Sequence, residues 1–197
     1  MHMPGFRRGA IPGTTERIEI NMTTERLLLR EMTQEDFPAL CAIIQDEQTM
    51  YAYNGPMNDT EAQEWLDNQL RRYRDDGFGH WAVCLKDGNE MIGQCGLSWQ
   101  NAEGKRVLEV GYLFNRAYWH QGYAIEAAHF CKCYAFGELH ADEVYSIVRD
   151  NNIPSINVAI RNGMHVCGRF IKHYRDEDMP HLMFRAKRMD WPQERIV

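Results

Sequence analysis

Two places in the sequence gather residues that could do chemistry. The first is Tyr118-Trp119-His120-Gln121-Gly122-Tyr123-Ala124-Ile125-Glu126-Ala127, between a predicted strand and a predicted helix. Gly122 and Ala124 leave the backbone bare at the turn, and the first N–H groups of a helix have no partner within it. With the helix dipole they make an anion site for which a pyrophosphate is a natural guest. Many strand-to-helix turns need a glycine anyway, so this stretch alone leaves both readings open. The second is Glu109, on a predicted strand whose Gly111 and Leu113 share its face. A carboxylate on an otherwise apolar strand face is costly unless it has a partner or a role. It could take a proton directly or through water, or be a solvated strand residue.

Metal chemistry finds no support. Cys41, Cys84, Cys95, Cys131, Cys133 and Cys167 contain no CxxC pair, and the eight histidines contain no HExxH. No metal is expected, and the cysteines read as small core residues, reduced in a cytoplasm.

The elements that must position these residues follow from periodicity. Leu27–Arg30 reads as a strand. Thr33 starts a helix with Phe37, Leu40, Cys41 and Ile44 on one face, and a second helix runs from about Asp59 to Asp76. Trp81–Leu85, Met91–Trp99 and Val107–Phe114 are consecutive strands, the first two joined by the Lys86-Asp87-Gly88-Asn89 turn. The helix from Tyr123 to Glu138 carries Ala124, Ala127, Ala128, Cys131 and Ala135 on one face, small enough to lie close on a sheet. Glu143–Val148 is a strand, Pro154–Asn162 a short helix, and Val166–Tyr174 with His181–Lys187 a closing hairpin. The order predicts an α/β (α+β) fold: a mixed, mostly antiparallel sheet of about six to seven strands flanked by about four helices.

The 197 residues suit one domain. Residues 1–22, rich in Gly, Pro and Arg, read as a flexible leader with at most a weak strand at Arg17–Ile20, and residues 23–192 as the domain. With 22 basic against 28 acidic residues, the chain is not held on nucleic acid by overall charge. The longest stretch without Asp, Glu, Lys or Arg is Met91–Ala102, too short to cross a bilayer, and no signal peptide is evident.

Beyond single motifs, the chain resembles the GCN5-related N-acetyltransferases (GNAT). Trp119-x-x-Gly122-x-Ala124 matches that family's pyrophosphate loop, Gln/Arg-x-x-Gly-x-Gly/Ala. Thr24-Glu25-Arg26-Leu27-Leu28-Leu29-Arg30, Glu109-Val110-Gly111-Tyr112, Asn152-Ile153-Pro154-Ser155 with Asn162-Gly163-Met164, and Arg188-Met189-Asp190-Trp191 are similar to the branch that acetylates ribosomal-protein N-termini, of RimJ/RimL type. The matches run in order over about residues 24–191.

The resemblance implies acetyl transfer from acetyl-CoA to a primary amine, a protein N-terminus or a small amine, by direct attack in a ternary complex. Cofactor contacts would come from Tyr112, Leu113 and Phe114, whose backbone N–H groups are candidates for the oxyanion, from His120, Gln121, Gly122, Tyr123, Ala124 and Ile125, and from Asn152 and Ser155. Glu109 is the expected base, or an acceptor-site residue, and Ser155 the expected acid, with Tyr145 a weaker candidate. The position where many relatives carry a tyrosine acid is Ala159. Asn152 holds the pantetheine amides or merely caps its helix. Trp119 departs from the loop pattern, and Arg116 is the neighbour that could compensate. Tyr53 and Trp99 are the acceptor-groove candidates, with Tyr51 and Trp65 behind them, beside the Asn54-Gly55-Pro56 loop. His181 is expected in a surface or hairpin role. The rivals are a catalytically degenerate acetyl-CoA-binding sensor or scaffold and an unrelated mononucleotide-binding protein. A cytoplasmic location is expected, with no nucleic-acid or membrane partner, and a homodimer is left open.

Overall fold

The computed structural model describes residues 22–174 and 176–191. The proposed strand at Arg17–Ile20 and all of the leader but Met22 lie outside them. Eight strands form one sheet: β1 (Met22–Thr23), β2 (Leu27–Arg30), β3 (His80–Leu85), β4 (Met91–Ala102), β5 (Lys105–Phe114), β6 (Glu143–Arg149), β7 (His165–Tyr174) and β8 (Glu177–Lys187). Their spatial order is β1-β2-β3-β4-β5-β6-β8-β7. All neighbours are antiparallel except β5 and β6, which run parallel and share the single bridge pair Glu109–Tyr145. The mixed, mostly antiparallel architecture is the predicted one. The extra strand is β1, where Met22, assigned to the leader, is buried opposite Leu29.

Four helices cover the sheet: α1 (Phe37–Ile44), α2 (Asp59–Asp75), α3 (Tyr123–Gly137) and α4 (Ile153–Arg161). α2 starts in a capping box, where Asn58 Oδ1 accepts the Glu61 N–H and Glu61 reaches back to the Asn58 N–H. It lies on the face bearing Gln94 and His80: Trp65 Nε1 donates to Gln94 Oε1 at 3.0 Å, and Gln69 Oε1 accepts the His80 N–H at 3.0 Å. α3 lies on the other face, where Ala127, Ala128, Cys131 and Ala135 are fully buried. Its small side chains let Cys131 Sγ come within 3.5 Å of Cys95 Sγ on β4, and Tyr134 pack edge-on against Trp81. Gly96 is needed where a Cβ would stand 2.0 Å from the Gly79 carbonyl oxygen. No helix among the described residues is long and apolar enough to cross a membrane.

α4 begins at Asn152, whose Oδ1 accepts the Ser155 N–H at 3.2 Å. Its buried Ala159 leaves no room for a larger side chain without moving the helix. Asn162 Nδ2 donates to the Ala128 carbonyl at 3.1 Å, and buried Lys132 donates to the Asn162 carbonyl, tying α4 to α3.

Candidate active site

β5 and β6 part just beyond the Glu109–Tyr145 pair. The Asn115 N–H donates to the Ile92 carbonyl at 2.9 Å, and Asn115 stands opposite Ile92 in the β4–β5 register. By antiparallel alternation, odd-numbered β5 residues bond β4, while Val110, Tyr112 and Phe114 turn their backbone groups toward β6. A regular parallel ladder would next join the Ile147 N–H to the Val110 carbonyl. Instead, Glu109 Oε1 accepts the Ile147 N–H at 3.1 Å, and Ser146 Oγ donates to the Val110 carbonyl at 3.0 Å. Two side chains thus satisfy the ladder groups where the strands separate. Of the three oxyanion candidates, Tyr112 and Phe114 face the opening, and the Leu113 N–H faces β4.

Two cavities open on either side of this parting. One, of about 410 Å³, is lined by Tyr112, Leu113, Phe114, the loop residues Trp119, His120, Gly122, Tyr123, Ala124 and Ile125, and α4 residues including Ser155. The other, of about 280 Å³, is lined by Tyr53, Trp65, Gln69, Arg72, His80, Gln100, Glu109 and, from the β7–β8 hairpin, Lys172 and His181. The two share Thr49, Tyr112, Leu113, Asn152 and Ser155.

The loop side is built for an anion. Gly122 is the N-cap of α3 with φ +83°, a conformation L side chains resist. Glu126, in the first turn of α3, would oppose an anion there, but it is drawn to the β1–β2 corner. Thr24 Oγ1 and the Arg26 N–H bond its Oε1, and Arg26 Nε bonds its Oε2 at 2.7 Å. Burial works against its ionisation, yet these bonds hold its carboxyl below the ordinary Glu value. Arg26 also donates to the Gln121 carbonyl at 3.0 Å and lies over the Tyr123 ring, 4.5 Å from its centroid. One side chain thereby braces both sides of Gly122. Trp119 Nε1 donates to the Phe114 carbonyl at 2.8 Å, so the residue that departs from the loop pattern anchors the loop to β5.

On the other side, Glu109 is partly buried. Removal from water pushes its carboxyl up to about 7, opposed by Lys172, the Ile147 N–H and Arg72. His80 is 8% exposed, and burial, with Arg72 adding to it, pushes its imidazole down to about 3, so it is neutral. The Gln94 side chain is its hydrogen-bonding neighbour and opposes that shift. Gly111 makes room for it: a Cβ there would stand 2.8 Å from the imidazole. Tyr53 packs edge-on against Trp65, and burial pushes its phenol up.

Several expected residues stand elsewhere. Trp99 is 38% exposed on the opposite face of β4, with Arg106 4.4 Å from its ring centroid, while its neighbour Gln100 lines the cavity. Gln121 contributes its carbonyl to Arg26 and its side chain to the Ala117 carbonyl, outside the groove wall. Arg116 pairs with Asp46 at 3.6 Å and Gln48 at 3.0 Å instead of reaching the loop groove. Tyr145 is bound to Glu143. Tyr51 lies in the loop-side groove, where its hydroxyl donates to Asn152 Oδ1 at 2.9 Å. Asn54, Gly55 and Pro56 do not line the second cavity; Thr49, Ala52 and Tyr53 just before them do. His181 is in the hairpin as expected, but buried, its Nδ1 2.8 Å from the Met179 carbonyl. Nothing in the sequence singles out Arg72, His80, Ser146 or Lys172 as site residues, and Arg26 is marked there only as part of the family-like opening strand. Among the described residues no cluster could hold a metal ion.

The splayed sheet thus sets an anion-ready turn on one side and a carboxylate-bearing cavity on the other. Residues 26–165 match the acetyltransferase (GNAT) domain family model. The chain belongs to the GNAT acetyltransferase family, in its RimJ/RimL-type branch, and is an N-acetyltransferase. It is 34% identical over 145 residues to the uncharacterized protein YkkB of Bacillus subtilis (strain 168), covering 73% of this chain and 84% of that one. In fold it is similar to a GNAT-family acetyltransferase from Bacillus anthracis, with TM-score 0.75 and 22% identity over 86% of this chain and 99% of that one. It is also similar to the RimL ribosomal L7/L12 alpha-N-protein acetyltransferase, with TM-score 0.71 and 16% identity over 91% and 99%.

Proposed function

We propose that the protein transfers an acetyl group from acetyl-CoA to a primary amine held in the Glu109 cavity, by direct attack within a ternary complex. The observation that carries this reading is the meeting of the two cavities at Tyr112, Leu113, Asn152 and Ser155, with Glu109 in the wall of only one. Family membership implies acetyl-CoA, and the residues present suit it: the bare α3 N-terminus at Gly122 for its pyrophosphate, and the β5 backbone at Tyr112 and Phe114 for its extended arm.

Acetyl-CoA, when bound, supplies the acetyl thioester. Glu109 accepts the proton that the amine gives up as its nitrogen bonds the acetyl carbon. A carboxyl near 7 is half ionised at neutral pH and strong enough as a base to share that proton. The outward N–H groups of Tyr112 and Phe114 are placed to hold the carbonyl oxygen as it gains charge. Tyr112 donates its phenol proton to the Ser155 carbonyl at 2.9 Å, which sets the start of α4 and Ser155 beside the reacting bond. Ser155 supplies a hydrogen bond or proton to the departing sulfur. Asn152 caps α4 and orders Tyr51 at the groove wall.

Calorimetric titration with acetyl-CoA, followed by CoA release across a panel of amines, tests this reading. Saturable binding with amine-dependent CoA release is expected. Absence of binding would contradict it, and binding without release by any amine would favour the sensor.

A further inference from the structure

The charges in the acceptor cavity do not match those of the chain. The whole protein carries −6. The cavity wall holds three cationic side chains, Arg72, Arg149 and Lys172, against one carboxylate, Glu109. Its two histidines are held toward the neutral form, by burial above all.

The three cations differ in how they are engaged. Arg149 donates to the Tyr51 carbonyl at 3.1 Å. Arg72, on α2, donates to the neutral Gln69 amide at 3.2 Å. Lys172, on β7, reaches the cavity from the far side. Among the ion pairs of the described residues, none includes Arg72 or Lys172. Both lie within electrostatic reach of Glu109, so their charges surround the place where the amine must sit. A substrate that brought only positive charge would add repulsion there. His80, nine-tenths buried beside Gln94, adds a neutral polar ring and no further charge to the same wall.

We propose that the acceptor is a small amine that also carries a carboxylate, an amino acid in form, with its carboxylate taken by Arg72 and Lys172 and its amine presented to Glu109. This rests on the reading of the cavity as the acceptor site. It replaces the cationic amine that net charge alone suggests. The cavity's volume of about 280 Å³ suits a small molecule, and the peptide arm of the test below reads whether a longer chain also enters. A carboxylate offers two cations a full negative charge and two acceptor oxygens, where a carboxamide of the same shape offers one acceptor oxygen, no net charge and an NH2 that faces the second cation. The amine transfers its proton to Glu109 as the C–N bond forms and the C–S bond breaks, and the carboxylate takes no part in the bond changes.

The test is a matched panel: free amino acids, the same compounds as carboxamides, and short peptides with acidic and neutral side chains, each assayed for acetyl-CoA-dependent CoA release. The amino acids should exceed their carboxamides in kcat/KM by about tenfold or more. Lys172→Gln, at an exposed residue of the edge strand β7, should collapse that ratio toward one, chiefly through KM. Arg72→Gln should do the same. Equal kcat/KM for acids and carboxamides, or a ratio untouched by Lys172→Gln, would overturn this inference and leave acetyl transfer standing. So would turnover confined to peptides. Failure of acetyl-CoA to bind in a parallel calorimetric titration would overturn the proposed function itself, and the inference with it.

Discussion

The carboxylate of Glu109 accepts the backbone N–H of Ile147 at 3.1 Å across the parting of β5 and β6. The N–H that a parallel ladder would give to Val110 is given instead to a side chain. One carboxylate therefore closes a sheet defect and stands in the wall of the cavity lined by Arg72 and Lys172. The strands can separate there without a buried orphan donor, which would cost about 1–3 kcal/mol.

Stability should report the raised carboxyl. Glu109 sits near 7 in the fold against an ordinary 4.5, so the folded state favours its protonated form. Its contribution to stability is fully present below pH 4.5 and is lost as pH rises through 7. Glu109→Gln lacks this loss. Relative to the wild type, its urea-unfolding free energy should rise between pH 4.5 and pH 8, by up to about 3 kcal/mol. A difference independent of pH would show that the carboxyl is not raised.

Ser146→Ala removes the hydroxyl that donates to the Val110 carbonyl. The loss of stability in denaturant should be about 1–3 kcal/mol, because the carbonyl is left unpaired beside the parting strands. No measurable loss would mean that the carbonyl finds water or another donor.

Gly122→Glu should abolish acetyl-CoA binding in calorimetry. The position has φ +83°, a Cβ there would approach Arg26 at 3.4 Å, and the new negative charge would sit at the helix N-terminus offered to the phosphates. Unchanged affinity would remove the turn as the phosphate site.

Arg26→Ala should weaken acetyl-CoA binding by about tenfold without removing it. The substitution frees the Gln121 carbonyl and uncovers Tyr123. It also releases Glu126 from its ion pair, leaving that charge to repel an incoming phosphate. An unchanged dissociation constant would show that the turn holds its shape unaided.

What could be read from the sequence was local. Gly122 before a small-faced helix is a signal within a few residues, and Glu109 stands out as a charge on an apolar strand. Strand register is not local. Trp99 and Gln100 are equally plausible as groove residues until the pairing of Ser98 with Glu109 puts even β4 positions on the cavity face. Arg72, His80 and Lys172 come from α2, β3 and β7, and only the folding of the β7–β8 hairpin beside the parting strands brings them together. Arg26 was visible as part of a family-like opening strand, but its reach to Gln121 and Glu126 depends on packing about a hundred residues away in sequence.

The pH dependence of kcat/KM for the wild type and Glu109→Gln, with acetyl-CoA affinity measured alongside, tests the central claim most directly. If Glu109 takes the amine's proton, the wild-type kcat/KM, expressed per concentration of unprotonated amine, should climb about tenfold per pH unit below 7 and level off above it. Glu109→Gln should lose that step and fall by about 100-fold or more, with acetyl-CoA affinity nearly intact. A full-rate Glu109→Gln enzyme, or one that keeps the step near pH 7, would contradict the account.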